Sequence, residues 1–267
     1  MARPMSELPS ALDQDLLAGV AGRPIAVFLD FDGTLAPIVE DPGDASLPDE
    51  TRRALERLVA TGLVAVVSGR GLDDLRSRVA VPGIVLVGSH GFEIVGSDGR
   101  RIERPEVAGF LPELDAAERD LRERLAGLPG VHVERKRWAI AAHYRRAPDR
   151  GPEVERAVRE VAADHPELAV SGGKKVVELR PDVQWHKGAA VRWLEETVAP
   201  PGALPIFVGD DLTDEDAFRE LRDRGIPVVV LGEDKRDTEA RYSLRSPDEV
   251  RTFLVRLGRV AGSARTR

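Results

Sequence analysis

Three short apolar runs constrain this chain more than any other feature. Ile25–Leu29, Leu63–Val67 and Ile84–Val87 are continuous rather than alternating, and each stops abruptly at polar residues. A strand that is apolar on both sides must be covered on both faces. Between the runs, apolar residues fall at helical spacing: Ala54, Leu55, Leu58 and Val59, then Leu72, Leu75 and Val79. Strand and helix in alternation predict a parallel sheet with helices on either side, a doubly wound, Rossmann-like α/β core. The same rhythm closes the chain, with a helix over 187–198, a strand over 205–208, a helix from about Thr213, a strand over 227–231 and a last helix over 247–257.

Between these stretches the rhythm changes. Phe92–Val95 and Arg101–Glu103 flank a Ser97-Asp98-Gly99 turn and read as a hairpin. Helices over 111–125 and 152–164 then alternate with strand pairs at 131–135 and 138–145, and at 168–171 and 176–180. That pattern is α+β. It predicts a core domain from residues 1–91 and 181–267, interrupted by an inserted α+β cap domain over 92–180.

Composition removes several function classes. There is no cysteine, which excludes disulfide scaffolds, thiolate metal sites and thiol nucleophiles. Lysine and arginine number 39 against 46 acids, a net charge of −7, and aromatic residues are 4%. Neither a basic face for phosphate backbones nor an aromatic platform for bases is available, so no nucleic-acid partner is expected. No run approaches the roughly 18 apolar residues of a membrane span, and Asp13 and Asp15 interrupt the only candidate leader. The expectation is a cytoplasmic protein without a membrane partner, and a monomer.

The chemistry lies where the strands stop. Ligands of an open parallel sheet bind at the carboxyl ends of its strands. Those ends read Asp30-Phe31-Asp32-Gly33-Thr34, Ser68-Gly69-Arg70, Gly88-Ser89-His90-Gly91 and Gly209-Asp210-Asp211, with Asp214 and Asp216 just beyond and Lys187 opening a helix. Asp30, Asp32, Asp210, Asp211 and Asp214 in one crevice would repel unless a hard cation joined them. Mg²⁺ suits such oxygen ligands and a substrate phosphate, and Ser68, Arg70 and Lys187 are donors for phosphate oxygens. The set fits phosphoryl transfer. Asp30 could attack phosphorus and Asp32 could move the proton.

Competing patterns fail. As a calcium loop, Asp30 onward puts Gly33 at the wrong position and follows a strand instead of a helix. There is no G-x-G-x-x-G, no G-x-S-x-G, and Gly172-Gly173-Lys174-Lys175 lacks the P-loop spacing. Thr213 and Asp216 fit an ordinary helix cap as well as a site, and Ser68-Gly69-Arg70 alone fits a helix-start turn. His132, His143 and His165 show no metal spacing and read as structural.

Taken together, FLDFDGTLAPIV, VVSGR, the lysine of WHKG and FVGDDLTDEDAF resemble the four motifs of the haloacid dehalogenase superfamily of phosphatases. The GSHG, ERK…HYR and GKKVVELRP stretches bring the resemblance closer to the trehalose-6-phosphate phosphatases, over roughly residues 25–255. Phe31 and His186 depart from that pattern. The resemblance implies Mg²⁺-dependent hydrolysis of trehalose 6-phosphate to trehalose and phosphate through an aspartyl phosphate. It implies Asp30 as nucleophile and Asp32 as general acid and base. Mg²⁺ would be held by Asp30, the Asp32 carbonyl and Asp210, with Asp211 and Asp214 in support. Ser68 and Lys187 would hold the phosphoryl oxygens, with Arg70 assisting. His90 and Gly91 would lie beside the substrate, and Glu134, Lys136, Arg145, Lys174 and Glu178 of the insertion would contact the sugar. Lys174 and Glu178, four apart on a strand, would face the same side. The implied partners are the sugar phosphate itself and, functionally, a separate trehalose-phosphate synthase. The alternatives are a phosphatase or mutase for another sugar phosphate, and a non-catalytic sugar-phosphate-binding regulator on the same fold.

Overall fold

A computed structural model of the chain describes residues 2–103, 109–173, 175–183, 185–232 and 236–262. The chain falls into two compact units, Met1–Ile102 with Trp185–Arg267, and Glu103–Gln184.

The first unit begins with β1 (Arg3–Pro4) and helix α1 (Gln14–Val20), which Asp13 caps through the Asp15 amide. It continues through β2 (Ile25–Leu29), α2 (Asp49–Val59), β3 (Leu63–Val67), α3 (Leu72–Val79), β4 (Val85–Gly88), β5 (Glu93–Val95) and β6 (Arg101–Glu103). The second unit contains α4 (Leu111–Arg124), β7 (His132–Lys136), β8 (Ala139–His143), α5 (Gly151–Asp164), β9 (Leu168–Gly173) and β10 (Val176–Pro181). The first unit resumes with α6 (Lys187–Thr197), β11 (Leu204–Gly209), α7 (Glu215–Leu221), β12 (Ile226–Val230), β13 (Asp237–Thr238), β14 (Tyr242–Leu244) and α8 (Pro247–Gly262).

Eight strands of the first unit form one sheet in the order β14-β12-β11-β2-β3-β4-β5-β6. The strands from β14 to β4 are parallel, and β5 joins antiparallel. Every residue of β2 is buried because the pleat sends its side chains to two cores in turn. Val27 and Leu29 pack with Leu55, Leu58, Leu75, Phe253 and Leu254, from α2, α3 and α8. Ala26 and Phe28 pack with Val191, Leu194, Phe218 and Leu221, from α6 and α7. Helices thus cover both faces, as the uninterrupted apolar runs predict. No helix among the described residues is long and apolar enough to cross a membrane.

The hairpin at 92–103 extends the core sheet, pairing Leu86, Val87 and Gly88 of β4 with Val95, Ile94 and Glu93. The compact second unit therefore begins at Glu103, and it ends at Gln184 rather than at residue 180. A hairpin's turn is legible in its own residues, but the third strand it pairs with is not. Two short pairings also escaped the apolar pattern: β1 with β13, and β14 as the sheet edge.

In the second unit, β7-β8-β10-β9 form an antiparallel sheet. One face carries Val133, Ile140, Ala142, Val177 and Leu179 against Leu114, Leu121, Val154, Val158 and Val161 of α4 and α5. Register places Glu134, Ala141 and Glu178 side by side on the other face.

Candidate active site

In the core unit, parallel β2, β3, β4 and β11 all end at the same edge of the sheet. That topology gathers residues about 180 positions apart. Asp30, Asp210 and Asp214, all buried, present carboxylate oxygens within 4.8 Å of one another. Lys187 Nζ hydrogen bonds Asp30 Oδ1 at 2.7 Å and Asp214 Oδ1 at 2.6 Å, and the lysine is itself buried. It stands there because His186 caps α6, its Nδ1 accepting from the Ala189 amide, so the helix starts with Lys187.

The loop after β11 is fixed by its own acids. Asp214 Oδ2 accepts from the amides of Asp210 and Asp211, both at 2.9 Å, while Asp211 caps the following turn through the Leu212 amide. Asp214 therefore anchors Lys187 with one oxygen and the loop with the other. The cap at this turn is shared by Asp211 and Asp214, and Thr213 and Asp216 are not part of it.

Gly33 brings the first motif to this loop. Its φ is +78°, and a Cβ there would lie 2.2 Å from Asp210 Oδ2. Only glycine lets the Asp30–Thr34 turn close on Asp210. Thr34 Oγ1 donates to Asp210 Oδ1 at 3.3 Å.

Asp32 points elsewhere. Arg70 grips it with two hydrogen bonds, Nε to Oδ2 at 2.6 Å and Nη2 to Oδ1 at 2.7 Å. Asp74 holds Arg70 from behind at 2.8 Å, and the guanidinium lies over the buried Phe31 ring. Asp32 keeps 41% of its side chain exposed, whereas Asp30 is buried. The two carboxylates of Asp-x-Asp thus occupy different environments, as two different roles require. Ser68 is buried at the end of β3, where its Oγ accepts from the Arg70 amide. Ser89 and His90 follow β4 with left-handed backbone, φ +50° and +57°.

Burial pushes the Asp30 carboxyl well above the usual range; Lys187 opposes this, and Asp214 and Asp210 add to it. Burial would strip the charge from Lys187, but Asp214 and Asp30 outweigh it and raise the ammonium above an ordinary lysine. One ammonium hydrogen bonded to two of three buried carboxylates leaves negative charge over. Oxygen ligands with surplus negative charge suit a hard divalent cation. Among the described residues, the carboxylates gathered closely enough to hold such an ion are those of Asp30, Asp210 and Asp214.

A cavity of about 510 Å³ lies elsewhere, lined by Arg3, Arg222, Glu239, Arg241 and Tyr242 among others. Arg222 and Arg241 precede β12 and β14, so it opens at the amino ends of the strands and shares no residue with the acidic cluster.

Within the second unit, Lys136 Nζ donates to Glu178 Oε1 at 2.5 Å, and Glu134 hydrogen bonds His143 Nε2 at 2.8 Å. The His143 bond is the chief cause holding Glu134 below the usual carboxylate range, with burial opposing and Lys136 helping. His143, read as structural from its spacing, is part of this polar face. Arg145 follows β8. Lys174 lies outside the described residues, and the strand carrying Glu178 begins only at Val176.

This fold, with carboxylates and a lysine gathered at the strand ends, is that of the haloacid dehalogenase superfamily of phosphatases. The chain belongs to the trehalose-phosphatase family, whose family model matches residues 28–248. It is 46% identical over 264 residues to a trehalose-phosphate phosphatase of Mycobacterium tuberculosis (strain H37Rv), covering 96% of this chain and 67% of that protein. The Candida albicans trehalose-6-phosphate phosphatase C-terminal domain superposes with a TM-score of 0.78 at 27% identity, covering 96% of this chain and 98% of the domain. Aspergillus fumigatus trehalose-6-phosphate phosphatase gives 0.65 at 32% identity, covering 94% and 99%.

Proposed function

We propose that this chain hydrolyses trehalose 6-phosphate to trehalose and inorganic phosphate, with Asp30 as nucleophile. The observation that carries the proposal is the buried meeting of Asp30 with Lys187, Asp210 and Asp214, in a member of the trehalose-phosphatase family.

A carboxylate oxygen of Asp30 attacks phosphorus, the bond to the sugar oxygen breaks, and Asp32 gives that oxygen a proton. Asp32 then takes a proton from water, the water attacks phosphorus, and the bond to Asp30 breaks to release phosphate. To carry out these tasks Asp32 must leave the two hydrogen bonds that Arg70 makes to it. Lys187 and Ser68 hold phosphoryl oxygens, with Arg70 assisting. Lys187, 2.7 Å from Asp30, favours its ionised form against the burial that opposes it. Asp30, Asp210 and the Asp32 carbonyl, with Asp211 and Asp214 in support, would hold Mg²⁺, which would neutralise charge on the phosphoryl group. Glu134, Lys136, Arg145, Lys174 and Glu178 contact the sugar, since carboxylates and ammonium groups match hydroxyls that both donate and accept. His90 and Gly91 lie beside the substrate. In the cell the protein acts as a cytoplasmic monomer on the sugar phosphate made by a separate trehalose-phosphate synthase.

The test is phosphate release across a panel of sugar phosphates with added Mg²⁺, comparing the wild type with Asp30→Asn. Trehalose 6-phosphate should be the best substrate by at least about tenfold in kcat/KM, a difference of about 1.4 kcal/mol in transition-state binding. Near-normal turnover by folded Asp30→Asn removes the nucleophile, and equal rates across the panel remove the substrate.

A further inference from the structure

The mechanism above leaves one buried carboxylate unused. Glu93 opens β5 at 1% exposure. Its Oε2 accepts from Ser89 Oγ at 3.0 Å and from the Leu72 amide at 3.5 Å, and its Oε1 pairs with Arg101 at 2.5 Å.

Ser89, which it reaches, and His90 are consecutive and both left-handed, at φ +50° and +57°. L side chains adopt that conformation rarely, and two in succession must be held by their surroundings. The Ser89–Glu93 bond ties the turn to the sheet. The turn in turn grips the loop after β3: the Ser89 amide donates to the Arg70 carbonyl at 2.7 Å, and the His90 amide to the Ser68 carbonyl at 3.0 Å. The His90 ring closes on Gly69 so tightly that a Cβ there would lie 2.7 Å from it. Ser68, Gly69 and Arg70 are thus clamped at all three positions.

We propose that Glu93 is a positioning residue, which sets Ser68 and Arg70 for phosphate by fixing the strained Ser89–His90 turn. This rests on the assignment of Ser68 and Arg70 to the phosphoryl group made above.

The experiment measures competitive inhibition by inorganic phosphate in Glu93→Ala, Glu93→Gln, Ser68→Ala and the Glu93→Ala/Ser68→Ala double variant, with thermal melts on each. Glu93→Ala should weaken phosphate inhibition about tenfold. Glu93→Gln, which keeps an acceptor for Ser89, should recover most of it. The double variant should lose less than the product of the two single losses, because part of what Glu93→Ala disturbs is the hydroxyl that Ser68→Ala removes. If Glu93→Ala does not fold, Ser89→Ala removes the other end of the bond and should weaken inhibition about threefold. Wild-type inhibition in the folded Glu93 or Ser89 variant, or losses that multiply in the double variant, would overturn the proposal alone. Wild-type inhibition in Ser68→Ala would overturn the assignment of Ser68 and the proposal with it.

Discussion

Lys187 hydrogen bonds Asp30 and Asp214, and all three side chains are buried. Removing one partner of such a group leaves charge buried and uncompensated, at a cost of about 3–5 kcal/mol. Lys187→Met should therefore abolish turnover and also lower the urea midpoint; loss of turnover with unchanged stability would mean that the carboxylates do not depend on the ammonium. Gly33→Ala brings a methyl onto Asp210 and forces alanine to φ +78°. It should cut kcat at least about tenfold, with a lower melting temperature, and a crystal structure should show Asp210 displaced. The aspartates were legible because strand ends are where a parallel sheet exposes polar groups. Which acid serves which purpose was not. Asp214 lies 27 residues from Lys187, and no local spacing connects them. Glu93 was invisible for the same reason, being a single acid in Gly91–Val95 whose partners come from α3, from β6 and from the turn before it.

Helices and strands were the most readable level. The long apolar runs fixed the parallel strands to within a residue or two, since period and length arbitrate them. The sheet membership of β5 and β6 and the edge pairing of β14 depend on partners outside the local pattern. One element also carries a pH response. His165 at the end of α5 is hydrogen bonded to Glu113 at 2.8 Å and Asp120 at 2.9 Å, joining α5 to α4. Burial disfavours its charge, but the bonds to Asp120 and Glu113 outweigh burial and raise it above the ordinary value of 6.5. A group raised on folding stabilises fully below its unfolded value and loses that contribution as pH climbs through the folded one. Thermal melts of the wild type and His165→Gln should differ most just below pH 6.5 and converge at alkaline pH; a pH-independent gap would mean the histidine acts by packing alone. In the same unit, Leu179→Ala should cost about 2–5 kcal/mol, read as a lowered urea midpoint, because Leu179 is fully buried between sheet and helices.

At the scale of the whole molecule, a cation bound only by the folded protein must stabilise it. Added Mg²⁺ should raise the melting temperature, by an amount equivalent to about 2.7 kcal/mol at a hundred times its dissociation constant. EDTA should reverse that shift together with activity, and Asp210→Asn should show neither response. A thermal shift that survives Asp210→Asn would place the ion away from this cluster.

The chain leaves its first unit from the edge strand β6, two strands beyond the parallel array that carries the chemistry. Transplanting a foreign insertion onto this scaffold should therefore keep everything through Ile102 and resume at Trp185. A splice made ten residues earlier would tear two hydrogen-bonded strands from the sheet, and with them the glutamate beneath the Ser89–His90 turn. Chimaeras cut at the two places should be told apart by solubility before any assay is run.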